Sequence, residues 1–143
     1  MKLLSIIIPV YNEEQFVGQL LQKVYEVNLD SVGYSKELII VNDGSKDKSE
    51  QIIKKFLEKH PDLDCKYVFQ ERQKDWSNSK GAALKNWFGL ATGDLYIIQD
   101  ADLEYDPSDY LALIEKIEKN NLDFVYGSRT TGYLKFGAKY STF

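Results

Sequence analysis

Asp100 and Asp102 stand either side of Ala101, directly behind the short apolar run 95–99. Side chains two apart in an extended segment point the same way, so these carboxylates can converge at the end of a strand. Two hard oxygen donors around a small residue suit a divalent cation, above all one shared with phosphate oxygens. The same residues also suit a turn and cap ahead of a helix starting at Pro107, and a lone D-x-D does not choose between the two. A further carboxylate, Asp43, precedes Gly44 at the end of another apolar run. It can accept from a ring N–H such as that of uracil or guanine, or close an Asx-turn onto Ser45. Tyr11 and Glu13 follow the first apolar run, where Asn12 and Glu13 equally fit the start of a helix. The candidate cations for phosphate are Arg129, behind Gly127-Ser128, and Lys80, near a helix N-terminus that itself favours anions. Read plainly, Arg129 is an exposed loop residue and Lys80 a solvated surface lysine. His60, the only histidine, falls at a helix end and reads as structural there.

These residues need elements to hold them. Residues 3–10 are apolar almost throughout, as in a strand covered on both faces, and Pro9, which cannot donate to a ladder, marks its end. Asn12 with Gln15 forms a capping box ahead of helical spacing at Phe16, Leu20, Val24 and Val27. A loop over 28–35 turns at Gly33, and residues 37–41 form a second strand. Asp47 with Glu50 caps a helix that stops at His60-Pro61. Residues 65–70 form a third strand, 79–92 a helix with Trp87 and Leu90 inward, and 95–99 a buried strand. Asp106 caps the next helix with Pro107 at its first position, and 123–127 is a fifth strand. Strands alternating with helices of this length predict an α/β fold, an open and mostly parallel sheet with helices on both faces. In such sheets ligands bind outside the carboxyl ends of the strands. Four of the five strands end in polar, turn-rich segments, at Tyr11, Asp43, Asp100 and Arg129, and the topology would gather them at one edge.

At 143 residues, with 43% hydrophobic and 28% charged residues, the chain reads as one soluble globular domain. No run approaches the ~18 apolar residues of a membrane span. Cys65 is the only cysteine, which leaves no internal disulfide or thiolate metal site and fits a reducing, cytoplasmic compartment. A net charge of −4 argues against a nucleic-acid partner. The last fifteen residues, 129–143, carry cations and aromatics without acids, and read as a loop or the start of a segment continuing beyond this chain. The G-x-G-x-x-G and G-x-x-x-x-G-K-[ST] phosphate loops are absent, and so is a G-x-S-x-G elbow. Phosphate would therefore be held by a metal and by side-chain cations.

Ile8-Pro9-Val10-Tyr11-Asn12-Glu13-Glu14, Val41-Asn42-Asp43-Gly44-Ser45, Lys80-Gly81-Ala82-Ala83, Ala91-Thr92-Gly93-Asp94, Asp100-Ala101-Asp102-Leu103 with Asp106-Pro107, and Gly127-Ser128-Arg129 occur in that order. Together they resemble the family 2 glycosyltransferases of GT-A fold, in particular the branch of dolichol-phosphate mannose synthase and the bacterial polyprenyl-phosphate glycosyltransferases. The resemblance implies an inverting enzyme that takes a sugar from a nucleoside diphosphate sugar. It implies Pro9, Tyr11 and Glu13 around the nucleoside, Asp43 on the base, and Lys80 and Ala101 in the donor site. Asp100 and Asp102 would hold Mg2+ or Mn2+ on the diphosphate, and Arg129 would face donor or acceptor phosphate. Asp102 and Arg129 are thus the implied catalytic pair. The acceptor would be a lipid phosphate, which needs no general base, or a glycan hydroxyl, which needs one. A lipid acceptor would place the whole protein at the cytoplasmic face of a membrane, held by a part beyond residue 143. Two departures stand out: Asn42 replaces a frequent second aspartate, and Glu104 a frequent glutamine, though either can offer an oxygen to the metal. A receiver-like signalling module fits poorly, because its third and fifth strands would not end in Gln70-Glu71 and Ser128-Arg129. A non-catalytic sugar-nucleotide-binding or scaffold domain remains the alternative from another class.

Overall fold

The computed structural model describes residues 1–71, 87–127 and 140–142. It divides into two units, Met1–Pro107 and Ser108–Phe143.

In the first unit, β1 (Lys2–Val10), β2 (Tyr34–Asn42), β3 (Cys65–Phe69) and β4 (Leu95–Ile98) form a parallel sheet in the order β3-β2-β1-β4. The apolar runs follow from that order. β1 and β2 are interior strands, and Ile6, Ile7, Ile8, Leu38, Ile39 and Ile40 are wholly buried. Each such side chain contributes about 1.5–3 kcal/mol over an exposed one. Helix α1 (Val17–Glu26) joins β1 to β2, and α2 (Ser49–Lys59) joins β2 to β3. Two successive right-handed crossovers in one direction put both helices on the same face. They approach closely at Gly18, where a Cβ would lie 3.1 Å from Ile52 Cγ2. On the opposite face Trp87, Leu90 and Ala91 pack against Ile7, Ile39 and Val41. Of the helix expected over 79–92 only the residues from Trp87 onward are described; the open parallel sheet with helices is as the sequence implies.

Pro9 sits inside β1, opposite Val41, and is tolerated for a simple reason. Its missing N–H faces the β4 side, where the ladder has already ended at Ile7↔Ile98 and the Gln99 N–H to Ile7 carbonyl bond. β4 itself is less buried than its composition suggests. Among the described residues it pairs only with β1, and Tyr96 and Ile98 are 51% and 46% exposed. An apolar run reports hydrophobicity, but its place in the sheet depends on partners distant in sequence.

The turn before β4 is tied to the start of β1. Gly93 N–H donates to Ser5 Oγ, and Asp94 exchanges bonds with Leu3 through its own N–H and its Oδ2. A Cβ on Gly93 would lie 2.6 Å from both Leu3 O and Ser5 Oγ. Beneath this turn Glu37, 1% exposed, accepts from Ser5 Oγ, Thr92 N–H, Thr92 Oγ1 and Lys66 Nζ. Burial pushes the Glu37 carboxyl up, but the hydrogen bonds from Ser5, Thr92 and Lys66 outweigh it and hold the group down at about 2.

Two helix starts differ from the sequence reading. Asn12 is no N-cap: its φ is +52°, α1 begins only at Val17, and the Glu13 carbonyl receives the Phe16 and Val17 N–H groups. The side chain of Asn12 is engaged elsewhere, as described below. Asp47 does serve the entry to α2, accepting from Ser49 N–H, but Glu50 pairs forward with Lys54 rather than back in a capping box. His60, at the end of α2, packs between Tyr25 and Phe56, with ring centroids 4.1 and 4.4 Å away.

In the second unit a 3-10 turn, Pro107–Asp109 (whose first residue closes the first unit), leads into α3 (Tyr110–Asn120). Asn121 ends α3 in the left-handed conformation. β5 (Val125–Gly127) pairs antiparallel with β6 (Tyr140–Thr142). The expectation of a fifth strand in the parallel sheet is therefore corrected. A three-residue strand carries too little pattern to specify its partner, and β6 was not apparent in the terminal segment.

Candidate functional site

The order β2-β1-β4 sets three strand ends side by side: Asp43 after β2, Tyr11 to Glu13 after β1, and Asp100 to Asp102 after β4. The direction of winding reverses between β1 and β4, the place where open α/β sheets bind ligands.

The first two of these segments are stitched together. Asn12 N–H donates to Ser45 Oγ, and Lys46 N–H to Asn12 Oδ1. Glu13 N–H donates to Ser49 Oγ, Glu14 N–H to Asp47 Oδ2, and Lys48 N–H to Glu14 Oε2. This is why Asn12 adopts a left-handed turn that few residues other than glycine tolerate. The polar residues that look like independent helix starts in sequence are partners across the two loops. Nothing local in the sequence signals that pairing.

The Ser45 N–H weighed as a partner for Asp43 is taken instead by its neighbour. Asn42, fully buried, accepts from Ser45 N–H and donates to the Tyr67 hydroxyl. Asp43 is half-buried, and its Oδ1 accepts from Gln70 Nε2 at 2.8 Å. Gln70 and Trp87, absent from the sequence-based candidates, stand directly behind it.

The D-x-D residues lie in a turn beyond the end of β4, not on an extended strand. Asp100 and Asp102 are exposed while Ala101 is buried. Asp102 Oδ1 accepts from Glu104 N–H, and Leu103 is left-handed at φ +64°, so the plain turn role is also fulfilled. The buried Gln99 side chain donates to the Asp100 and Tyr105 carbonyls and closes the loop from beneath. The side chain of Asp106 pairs with Lys23 at 3.3 Å.

The electrostatics of this edge are acidic. Glu13 is raised from its ordinary value, first by burial and then by the charges of Asp102, Asp47 and Asp100. A cation at Asp100 and Asp102 would relieve that field, so the donor set fits a hard divalent ion. Among the described residues no group of three His, Cys, Asp or Glu side chains forms a metal cage; such an ion would take further oxygens from its ligand. Pro9 lies in β1 and Tyr11 is 38% exposed just beyond it. Lys80 and Arg129 lie outside the described residues.

An open parallel sheet with acidic residues gathered at its switch point defines an α/β domain whose ligand site lies at that edge. The family model for glycosyl transferase family 2 matches residues 5–142, and the chain belongs to that family. A dolichyl-phosphate beta-glucosyltransferase of Dictyostelium discoideum is 29% identical over 89% of this chain and 40% of its own length. A dolichol-phosphate mannosyltransferase of Pyrococcus furiosus is 32% identical over 93% of this chain and 34% of its own. Among solved structures, a mannosyltransferase from Pyrobaculum calidifontis in complex with GDP-Man and Mn2+ matches with a TM-score of 0.57 and 27% identity. That match covers 76% of this chain and 30% of the other. The chain thus spans at most two-fifths of the length of these relatives. The resemblance to family 2 and the GT-A fold expected from sequence are borne out.

Proposed function

We propose that this chain is the donor-binding part of an inverting glycosyltransferase that moves a sugar from a UDP- or GDP-sugar to a polyprenyl or dolichyl phosphate. The observation that carries the reading is the juxtaposition of Asp43, Glu13, Asp100 and Asp102 at three adjacent strand ends. Similarity to relatives named for lipid-phosphate acceptors supports the acceptor class.

Asp43 accepts a ring N–H of the base, while Pro9 and Tyr11 flank the nucleoside. Asp100 and Asp102, with Glu104 beside them, would hold Mg2+ or Mn2+. Bound there, such an ion offsets the charge of the departing diphosphate. Arg129 meets the same charge from the donor or acceptor side. An acceptor phosphate oxygen, already ionised, attacks the anomeric carbon opposite the leaving group. The new C–O bond forms as the bond to the nucleoside diphosphate breaks, and no residue need remove a proton. A lipid acceptor places this chemistry at the cytoplasmic face of a membrane. Among the described residues no helix is long and apolar enough to cross one.

The test is transfer of radiolabelled sugar by the full-length protein from UDP- and GDP-sugars to polyprenyl phosphate, against saccharide acceptors in parallel. Label in the lipid phase is expected. Label only in saccharide would overturn the acceptor class, and none in either would favour a non-catalytic binding domain.

A further inference from the structure

Asp43, Gln70 and Trp87 come from three separate segments and form one hydrogen-bonded line. Trp87 Nε1–H donates to Gln70 Oε1 at 3.3 Å, and Gln70 Nε2–H donates to Asp43 Oδ1 at 2.8 Å. The direction of this line is fixed from both ends. An indole N–H can only donate and an ionised carboxylate can only accept. The opposite amide orientation would set N–H against N–H and oxygen against oxygen. The end members are themselves held. Trp87 is 7% exposed and packed on Ile7, Ile39 and Val41. Asp43 N–H donates to the Val10 carbonyl, and Gln70 N–H to the carbonyl of Asn42, next to Asp43. Gln70 is thus bound to the 42–43 segment by main chain and side chain together.

We infer that Gln70, backed by Trp87, is a positioning residue that presents Asp43 as a fixed acceptor and so selects the nucleobase. The inference rests on the reading that Asp43 meets the base. A base with a ring N–H, uracil or guanine, finds an acceptor in a set plane. Cytosine offers a lone pair at the corresponding ring nitrogen and meets a carboxylate oxygen held in place by Gln70.

Calorimetry of UDP, GDP and CDP with Mn2+ on the wild-type chain, Q70L, Q70E, W87F and D43A tests this, with inorganic pyrophosphate as a base-free control. UDP or GDP is expected to bind the wild type in preference to CDP. Q70L should lose about tenfold in that nucleotide, W87F a smaller factor in the same direction, and neither should change pyrophosphate binding. Q70E keeps the acceptor for Trp87 but sets a second acid against Asp43. Its nucleotide binding should be weak at pH 8 and recover toward pH 5, where the pair can share a proton; a merely structural role for Gln70 would not produce that recovery. Wild-type affinity in Q70L and Q70E alongside a loss in D43A would overturn the role of Gln70 and leave the base reading intact. Unchanged binding in D43A as well would sink the base reading and the inference with it.

Discussion

Asn42 and Asp43 are adjacent, polar and similar in size, yet they do different work. Asn42 is buried and spends both ends of its amide inside the fold, on Ser45 and Tyr67. An aspartate there could still accept from the Tyr67 hydroxyl but would put a charge in a fully buried position, so the departure from the family's frequent acid pair has a local rationale. In the proposed reading Asp43, half-buried and held by Gln70, is the member that meets the ligand. Its replacement by alanine should weaken sugar-nucleotide binding about tenfold or more, the worth of one hydrogen bond to a charged group. Titration with the free nucleoside should show the same loss, because the base is being read and not the phosphate. At this scale the sequence singles out residue types and says little about what they touch. Asp43, Asp100 and Asp102 stood out by type and position. Gln70, Trp87 and Gln99 did not, because a glutamine or tryptophan acquires its role only from a partner brought close by the fold. Cys65 is plain at this scale too. Burial first, then Asp64, pushes its thiol up to about 12, so maleimide labelling at pH 8 should be slow in the folded chain and fast once it is unfolded.

Elements join these residues through contacts that motifs do not describe. Ala91-Thr92-Gly93-Asp94 was visible as a family block, and its work is structural: Thr92 and Gly93 fasten the entry to β4 onto Glu37 and Ser5. Glu37 is held well below the usual carboxylate range. Its stabilising contribution is therefore complete above about pH 4.5 and lost as pH falls toward 2. Replacing Glu37 with Gln should cost on the order of 2 kcal/mol at pH 7. It should also flatten the acid limb of the stability–pH curve, which denaturant titrations between pH 2 and 7 will read. Gly93→Ala forces a methyl against backbone and should cost about 2 kcal/mol or more, seen as a lower midpoint in the same titrations. The strand–helix alternation over residues 2–69 was legible because periodicity is local. The pairing of β5 with β6, the exposed face of β4 and the stitching of Asn12 to Ser45 and Lys46 were not, because each depends on a partner far along the chain.

The whole molecule turns on an acidic edge in a net acidic chain, where a phosphate-rich donor would be repelled without a cation. Glu13, raised first by burial and then by Asp102, Asp47 and Asp100, reflects that crowding of acids. Calorimetry of the matching sugar nucleotide therefore tests the account most directly, on wild type and Asp102→Asn, each with Mn2+ and with EDTA. The wild type should lose about tenfold or more in affinity when the ion is removed. Asp102→Asn, still folded by circular dichroism, should bind weakly in both conditions with no remaining metal dependence. Equal metal dependence in the two proteins would contradict the assignment of Asp100 and Asp102 to a shared cation, and with it the chemistry proposed for this site.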